Sequence, residues 1–264
     1  MGMKHRQKYI SLRCSNLGFT MIELLVAMVV SLLAMAAIYS TFLAQHRSYQ
    51  VQEEAADMQQ NIRTAMYFMQ REIRMAGSNP FKSLPLSNFG ITTTPVGVNP
   101  TGAGRNSITF TEDVRGPLVG APPVPGPPDG FVNINNVPDE NITYALNGTN
   151  LVRTDNNANG GLGDTQPVAQ NIDWLDFVYL DGSNPPNILN DYAGSGGAVP
   201  AASISQIRSV EITIVARTKH PLLYGTKNNI VYSNQQGTAS WTAPGDNVSR
   251  RRLTTKIYCR NLDL

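Results

Sequence analysis

Oxygen-bearing side chains alternate along residues 155–166 with the spacing of a calcium-binding loop. Carboxylate and amide oxygens are the ligands that calcium prefers in proteins. The twelfth position is Gln166, however, where such loops carry a bidentate glutamate, and an Asn/Gly-rich turn between two strands accounts for the same residues. Both interpretations stay open from the sequence. The residues of the calcium interpretation are Asp155, Asn157, Asn159, Gly161 and Asp164.

The sequence contains few residues and no common motif that would indicate catalysis. The chain has two cysteines, Cys14 and Cys259, and three histidines, and none of them stands at zinc-binding spacing. The sequence also lacks a nucleophile elbow, a phosphate-binding loop and a dinucleotide fingerprint. We therefore expect a protein that is not an enzyme and that needs no cofactor, apart from the calcium considered above.

A single carboxylate, Glu23, lies at the edge of a long apolar run. The 22 residues from Leu24 to Gln45 carry no formal charge. As a helix they would extend about 33 Å, which crosses a bilayer core once. A carboxylate next to hydrocarbon costs on the order of 2.5 to 3.5 kcal/mol unless it is partnered. Glu23 is therefore either a flanking charge that reaches the lipid headgroups or a functional residue.

The residues before the apolar run are basic and contain no acid. This flank predicts that the N-terminus stays in the cytoplasm and that everything after His46 is translocated. A secretory signal peptide is the alternative, but its apolar region would be shorter and would end in a stronger small-residue cleavage site. The four cations of the flank are Lys4, Arg6, Lys8 and Arg13.

The helical pattern continues beyond the membrane segment. No Pro or Gly occurs from Phe19 to Ala76, and apolar residues recur at steps of three or four up to Ala76. We therefore predict one helix of about 87 Å, apolar on all faces in its first half and amphipathic in its second. Gly77 and Pro80 should end it. The methionines of its apolar stripe are expected in the core.

From Ser78 onward the composition changes to that of loops and strands. All 17 prolines of the chain lie in this part. Asn147-Gly148 predicts a two-residue hairpin, and Ala121–Pro128 predicts an extended loop without regular structure. The predicted strands are Ser107–Thr111, Phe131–Ile134, Ile142–Leu146, Leu151–Arg153, Ile172–Leu180, Ile207–Arg217 and Leu253–Arg260.

The string from Gly18 to Ala27, GFTMIELLVA, resembles the class III signal of type IV pilins and type II secretion pseudopilins. The resemblance implies that a prepilin peptidase cleaves between Gly18 and Phe19 and N-methylates Phe19. It implies that Glu23, the fifth residue of the mature chain, pairs with the α-amino group of a neighbouring subunit during assembly, because an unpaired buried carboxylate is unfavourable. The implied fold is α+β, a pilin fold with one long helix packed on a loop-rich antiparallel head.

Three later segments narrow the resemblance to the PilW-like minor pilins, with the GspJ-like (PulJ-like) pseudopilins second. They are Met69–Gly77 at the end of the helix, Gln166–Ile172 leading into Phe177–Leu180, and Arg251–Leu253 with Arg260–Leu262 near the C-terminus. The implied domains are a leader of residues 1–18, a helix of residues 19–77 that spans the membrane at about 24–45, and a head of residues 78–264.

The implied function is that of a structural subunit that primes type IV pilus assembly and sits at the filament tip. Its partners would be other minor and major pilins, the prepilin peptidase and a tip adhesin, with no nucleic acid expected. It would lie in the inner membrane with its head in the periplasm before assembly, and in the surface pilus afterwards. A secretion pseudopilin and a pilus-delivered adhesin or calcium-binding module are the alternatives.

The net charge of +2 belongs to the leader. Without its four cations the chain has 17 Lys and Arg against 19 Asp and Glu, and Cys259 is the remaining cysteine. The head contains a short basic run, Arg250-Arg251-Arg252, in front of the last predicted strand. We interpret it as a solvated beginning of the last strand or as an ion-pair partner for a neighbouring subunit.

Overall fold

The computed structural model describes residues 18–80, 89–91, 106–119, 124–128, 139–158, 163–193, 197–221 and 229–263. It combines one long helix, α1 (Met21–Ile73), with antiparallel sheets, so the α+β prediction is confirmed. The chain divides into two compact units, Met1–Gln50 and Val51–Leu264. Residues 1–17 of the predicted leader lie outside the described residues.

In the first unit, α1 is apolar and exposed. Its most apolar window is long and charge-poor enough to cross a bilayer, and none of that window is buried within the protein. Within Leu24–Gln45, the hydroxyls of Ser31, Ser40 and Thr41 each donate to a backbone carbonyl three or four residues earlier. That bond satisfies the hydroxyl inside the helix, which suits a segment surrounded by lipid or by other helices.

The larger sheet of the second unit has five strands among the described residues. The strands are β1 (Gly90–Ile91), β2 (Ser107–Thr111), β5 (Asn141–Asn147), β6 (Asn150–Asp155) and β7 (Asp164–Ala169). They lie in this order across the sheet, and all neighbours are antiparallel. β3 (Gly116–Val119) and β4 (Val124–Gly126) form a separate two-stranded ladder. Both strands lie between β2 and β5 in the sequence.

The second sheet consists of three antiparallel strands in the order β12, β9, β8. They are β8 (Ile172–Leu180), β9 (Ser209–Arg217) and β12 (Arg250–Tyr258), and a hairpin of β10 (Val231–Ser233) and β11 (Ser240–Thr242) lies between β9 and β12 in sequence. β8 and β9 are buried along almost their whole length, because the core covers one face while Ala239, Tyr232 and Trp241 pack against Trp174 and Val215.

One hydrophobic core joins the second half of α1 to both sheets. The helix contributes an apolar stripe that begins at Met58, and the predicted core role of its methionines is confirmed. The large sheet contributes Phe110 and Tyr144, and the three-stranded sheet contributes Phe177 and Tyr179. The buried residues of the helical stripe are Met58, Ile62, Ala65, Met66, Met69 and Ile73.

Several predicted strands are found where the sequence placed them, and the boundaries of others move. β2 and β8 have the predicted limits, and the Asn147-Gly148 hairpin forms with Gly148 and Thr149 as its loop. The last strand ends at Tyr258 rather than Arg260, because residues Arg260–Asp263 turn into a short 3₁₀ helix. The predicted strand Phe131–Ile134 lies outside the described residues.

The prediction that Ala121–Pro128 contains no regular element is wrong in part. Val124–Gly126 forms β4 and pairs with β3, with Pro125 opposite Leu118. Proline lacks an N–H donor, so it is excluded from central strands but tolerated at an edge. A two-stranded ladder consists only of edges, which is why a proline-containing segment can pair here.

α1 ends at Ile73, three residues before the predicted end at Ala76, and the turn that follows it closes at Gly77, which has φ of +82°. Its N–H donates to the Thr111 carbonyl at 3.0 Å, and a Cβ on it would lie 2.7 Å from Leu262 Cδ2 and 3.3 Å from the Asn261 carbonyl oxygen. Left-handed backbone and close approach together favour glycine here.

We therefore expect Gly77→Ala to lower the free energy of unfolding by about 2 to 3 kcal/mol. Gly148→Ala is the matched control, since Gly148 has φ of +61° but nothing within 4 Å of its Cβ position, and it should lose only about 1 kcal/mol. Denaturant unfolding of the detergent-solubilised chain measures both. Equal losses would mean that the contact with Leu262 and Asn261 has no role.

Candidate functional site

The residues predicted to be processed lie at the beginning of the described chain. Gly18 and Phe19 precede α1, and the Phe19 side chain is 91% exposed. No described residue covers either of them. A scissile bond must be accessible to a peptidase, and this placement is compatible with that requirement. Cleavage between Gly18 and Phe19 stays a prediction.

Glu23 closes a hydrogen-bonded box with Thr20 at the first turn of α1. Glu23 Oε2 accepts from the Thr20 backbone N–H at 2.9 Å and from Thr20 Oγ1 at 2.9 Å. In return, the Glu23 N–H donates to Thr20 Oγ1 at 3.3 Å. This reciprocal arrangement is a capping box, which satisfies backbone donors that a helix N-terminus otherwise leaves unpaired. Glu23 thus has a local partner in the single chain.

The sequence contained the signal for this box. Thr20 and Glu23 have the spacing of a Ser/Thr-x-x-Glu motif immediately before an apolar helical run. The interpretation of Glu23 as an isolated carboxylate leaves out its partner Thr20. The consequence is that two roles for Glu23, helix capping and charge neutralisation between subunits, have to be separated by experiment.

A second polar constellation lies in the head, where Arg153 of β6 joins two acids. Its Nε is 3.0 Å from Glu72 Oε2, and its NH2 donates to Asp139 Oδ1 at 2.7 Å. The Tyr144 hydroxyl also donates to Glu72 Oε2 at 2.7 Å, and Arg115 lies 3.2 Å from Asp139 Oδ2. The network ties the last turn of α1 to the five-stranded sheet. It was not predicted from the sequence, because its members are up to 81 residues apart.

Glu112 lies beside this network and is only 5% exposed. Its Oε2 atom has no hydrogen-bond partner among the described residues. Burial, and secondarily the nearby Glu72 carboxylate, raises the pKa of the Glu112 carboxyl to about 8. Near neutral pH the group is therefore largely protonated and adds no full negative charge to this part of the head.

This pKa gives a prediction for stability against pH. An acid whose pKa is higher in the folded state holds its proton while the unfolded chain loses it, so stability falls as pH rises from the unfolded value near 4.5 to about 8. The slope is at most about 1.4 kcal/mol per pH unit. Glu112→Gln should remove this slope, so the melting temperature of the variant should rise relative to the wild type between pH 5 and pH 8.

The matched control is Glu53→Gln, an exposed residue of α1 in the same unit. It should follow the wild-type pH profile. Parallel profiles of the wild type and Glu112→Gln would contradict the raised pKa of Glu112.

The residues of the calcium interpretation lie at the β6–β7 connection. Asp155 and Asp164 are register partners at the ends of the two strands, while Asn159 and Gly161 lie outside the described residues. The Asp155 carboxylate accepts the Asp139 N–H at 2.8 Å and the Asn157 N–H at 3.1 Å. The described residues contain no group of three acidic, His or Cys side chains arranged to hold a metal ion. Calcium binding stays a prediction.

Cys259 and His220 have structural surroundings. Cys259 is buried, and burial raises the pKa of its thiol to about 12, so the reactive thiolate is scarce at neutral pH. The carboxylate of Glu54 on α1 accepts from His220 Nδ1 and from the N–H groups of Lys219 and His220. These contacts fasten the segment after β9 to the helix.

The prediction for the basic run Arg250-Arg251-Arg252 is wrong for its first member. The Arg250 side chain is 2% exposed, with Nε donating to Asp173 Oδ2 at 2.6 Å and both terminal nitrogens donating to Asp246 at 2.6 Å. Its guanidinium also lies 5.6 Å from the Trp241 ring centroid, and its hydrogen bonds lower the pKa of Asp246 to about 2. Arg251 and Arg252 are exposed.

Comparisons with known proteins concern mainly the beginning of the chain. Residues 13–39 match the family described as the prokaryotic N-terminal methylation motif. A search of curated proteins finds no match. Among solved structures, a type IV-like pilin from Thermus thermophilus is similar with a TM-score of 0.42 and 12% identity, over 77% of this chain and 96% of that chain.

The matched segment contains Gly18, Phe19 and Glu23, and it ends before the residues that resemble the PilW-like group. The beginning of the chain therefore carries a prokaryotic N-terminal methylation motif, joined to a long apolar helix.

Proposed function

We propose that the chain is a minor pilin, a structural subunit that is processed between Gly18 and Phe19 and joins other pilins through α1. The observation that supports this most directly is the order of its parts. The methylation motif of residues 13–39 leads into an exposed apolar helix, and the later residues of that helix belong to the core of an antiparallel β head. Such a helix needs a cover of lipid or of other helices.

In this proposal the chain begins in the inner membrane, with its N-terminus in the cytoplasm and its head in the periplasm. The prepilin peptidase removes residues 1–18 and methylates Phe19. The α-amino group of Phe19 in one subunit then pairs with Glu23 of its neighbour, because neither charge is favourable in a low-dielectric filament core without the other.

The finer assignment is to the PilW-like minor pilins, which would place the chain in a complex that primes the filament at its tip. Other minor pilins, the major pilin and a tip adhesin are the partners of this proposal. The support is the resemblance of the helix end Met69–Gly77 and of the later strands.

The proposal is tested on filaments sheared from the source cells and probed with an antibody against the head. We expect a chain shortened by its 18-residue leader in the filament fraction, far less abundant than the main subunit, and fewer filaments when the gene is deleted. The proposal would be contradicted if the chain were found only in membranes and if cells lacking the gene made normal filaments. Lost protein secretion with normal filaments would instead assign the chain to a type II secretion system.

A second experiment addresses the head as an adhesin or calcium-dependent binding module. A variant that ends after Gly77 keeps the helix and lacks residues 78–264. Loss of surface filaments in cells that express only this variant supports priming. Normal filaments that fail only in attachment support adhesion.

A further inference from the structure

A cleft of about 720 Å³ opens in the head beside the Arg153 network. The last turns of α1 form one wall, the residues after β2 form another, and the 3₁₀ segment that begins at Arg260 contributes a third. All the lining residues belong to the Val51–Leu264 unit. The proposed pairing of helices does not involve this cleft.

The charge of the cleft is unbalanced in favour of arginine. Among the residues that the structure describes, five arginines and three acids line it, and no lysine does. Arg153 and Arg115 are paired with the acids Glu72 and Asp139, as described above. The third acid, Glu112, has a pKa of about 8 and is therefore largely protonated near neutral pH. The arginines left over therefore give the cleft a net positive charge.

Three of these arginines have free guanidinium groups as far as the described residues go. Arg71, Arg74 and Arg260 are exposed, and none makes an ion pair or hydrogen bond with a side chain that the structure describes. A guanidinium presents several donors in a rigid fork that matches a carboxylate. A set of three around one cleft can bind carboxylates of a partner without first breaking an internal pair.

Apolar side chains stand among these arginines. Tyr67 is 61% exposed, Phe68 39% and Met75 43%. The rings of Tyr67 and Phe68 meet edge to face, with centroids 5.8 Å apart. Aromatic residues, methionine and arginine are the types enriched in protein–protein interfaces, where lysine is depleted. This composition favours a protein partner over a nucleic acid.

We propose that this cleft docks an acidic peptide segment of a neighbouring subunit in the assembled filament. Its carboxylates pair with Arg71, Arg74 and Arg260, and an apolar side chain between them packs against Tyr67 and Phe68. The inference rests on the proposed function for the identity of the partner. The chemistry of recognition rests only on the cleft.

The test uses the full chain in detergent and a fluorescein-labelled peptide of four glutamates around one phenylalanine. Fluorescence anisotropy should detect binding that weakens with added salt. A peptide with glutamines in place of the glutamates should bind at least about tenfold more weakly, because neutral amides cannot form the charge-assisted hydrogen bonds with the guanidinium groups.

The variant is the double substitution Arg71→Glu and Arg74→Glu, which should also weaken binding of the acidic peptide at least about tenfold. The matched control is Arg251→Glu with Arg252→Glu, two exposed arginines of β12 that do not line the cleft. It should bind like the wild type. Circular dichroism melting checks that all the variants are folded.

The proposal is overturned if the acidic peptide does not bind, if the glutamine peptide binds equally well, or if the control variant loses affinity to the same extent. A ten-nucleotide oligothymidylate that competes as strongly as the acidic peptide would overturn it in favour of nucleic acid. These titrations need no filaments. Failure of the chain to enter filaments would therefore contradict the proposed function separately from the docking site.

Discussion

Replacing Glu23 with glutamine should leave cleavage after Gly18 intact and reduce recovery of the chain in sheared filaments by at least about tenfold. The peptidase acts at the preceding bond, whereas the carboxylate is needed when subunits pack. Removing one member of a buried ion pair costs about 3 to 5 kcal/mol, because the remaining charge is left without a partner. Glu23→Ala should be processed and should assemble as poorly. Immunoblots of whole cells and of sheared filaments measure both steps.

Glutamine is the informative substitution because it separates the two roles of Glu23. A glutamine can replace glutamate in a capping box, so Glu23→Gln keeps the contacts with Thr20 and removes only the charge. Thr20→Val does the opposite, since it removes the capping hydroxyl at a cost of about 1 kcal/mol and keeps the carboxylate.

If neutralisation between subunits is the role of Glu23, Glu23→Gln fails in assembly while Thr20→Val enters filaments nearly as well as the wild type. The reverse result would mean that helix capping is what matters. Wild-type incorporation of Glu23→Gln would refute the neutralisation argument, whatever the behaviour of Thr20→Val.

The long helix and the strongest strands could be predicted because their signals are local. The apolar spacing of α1 continues to Ile73, and all of its buried residues lie on one stripe. β2 and β8 are runs of β-branched and aromatic residues between loop residues, and their limits follow from composition. In each of these elements a residue's neighbours in sequence are enough to decide its structure.

The rest of the head could not be predicted because its determinants are distant in sequence. β1 and β10 are only two and three residues long, and they exist through their pairing with β2 and β11. The cleft arginines belong to the helix end, to the residues after β2, to β6 and to the C-terminal 3₁₀ segment. No local pattern indicates that these segments meet, so the cleft and the Arg153 network emerge only from the tertiary structure.

Arg250 is another residue whose surroundings could not be predicted, because the sequence does not distinguish it from Arg251 and Arg252. Only Arg250 meets two acids, Asp173 at the beginning of β8 and Asp246 in the turn before β12. The side chain of Asp173 is 7% exposed, and Arg217 Nε is 3.5 Å from its other oxygen. Removing Arg250 would leave the buried Asp173 without its 2.6 Å partner and with Arg217, at 3.5 Å, as its cation among the described residues.

We therefore expect Arg250→Ala to lower the free energy of unfolding by about 3 kcal/mol, and more if Asp173 cannot move into water. Arg251→Ala is the matched control, because Arg251 is the neighbouring exposed residue of the same strand, and it should change stability by no more than about 0.5 kcal/mol. Denaturant unfolding of the full chain in detergent gives both values.

A second substitution shows whether the loss comes from the orphaned acid. Asp173→Asn combined with Arg250→Met removes both charges and keeps most of the side-chain volume, so it should recover part of the stability that Arg250→Ala loses. If the combined variant is as unstable as Arg250→Ala, the packing of the guanidinium against Trp241, 5.6 Å away, is the dominant contribution. If Arg250→Ala itself unfolds like the wild type, Arg250 has no structural role, and a partner outside this chain becomes the remaining explanation for the run.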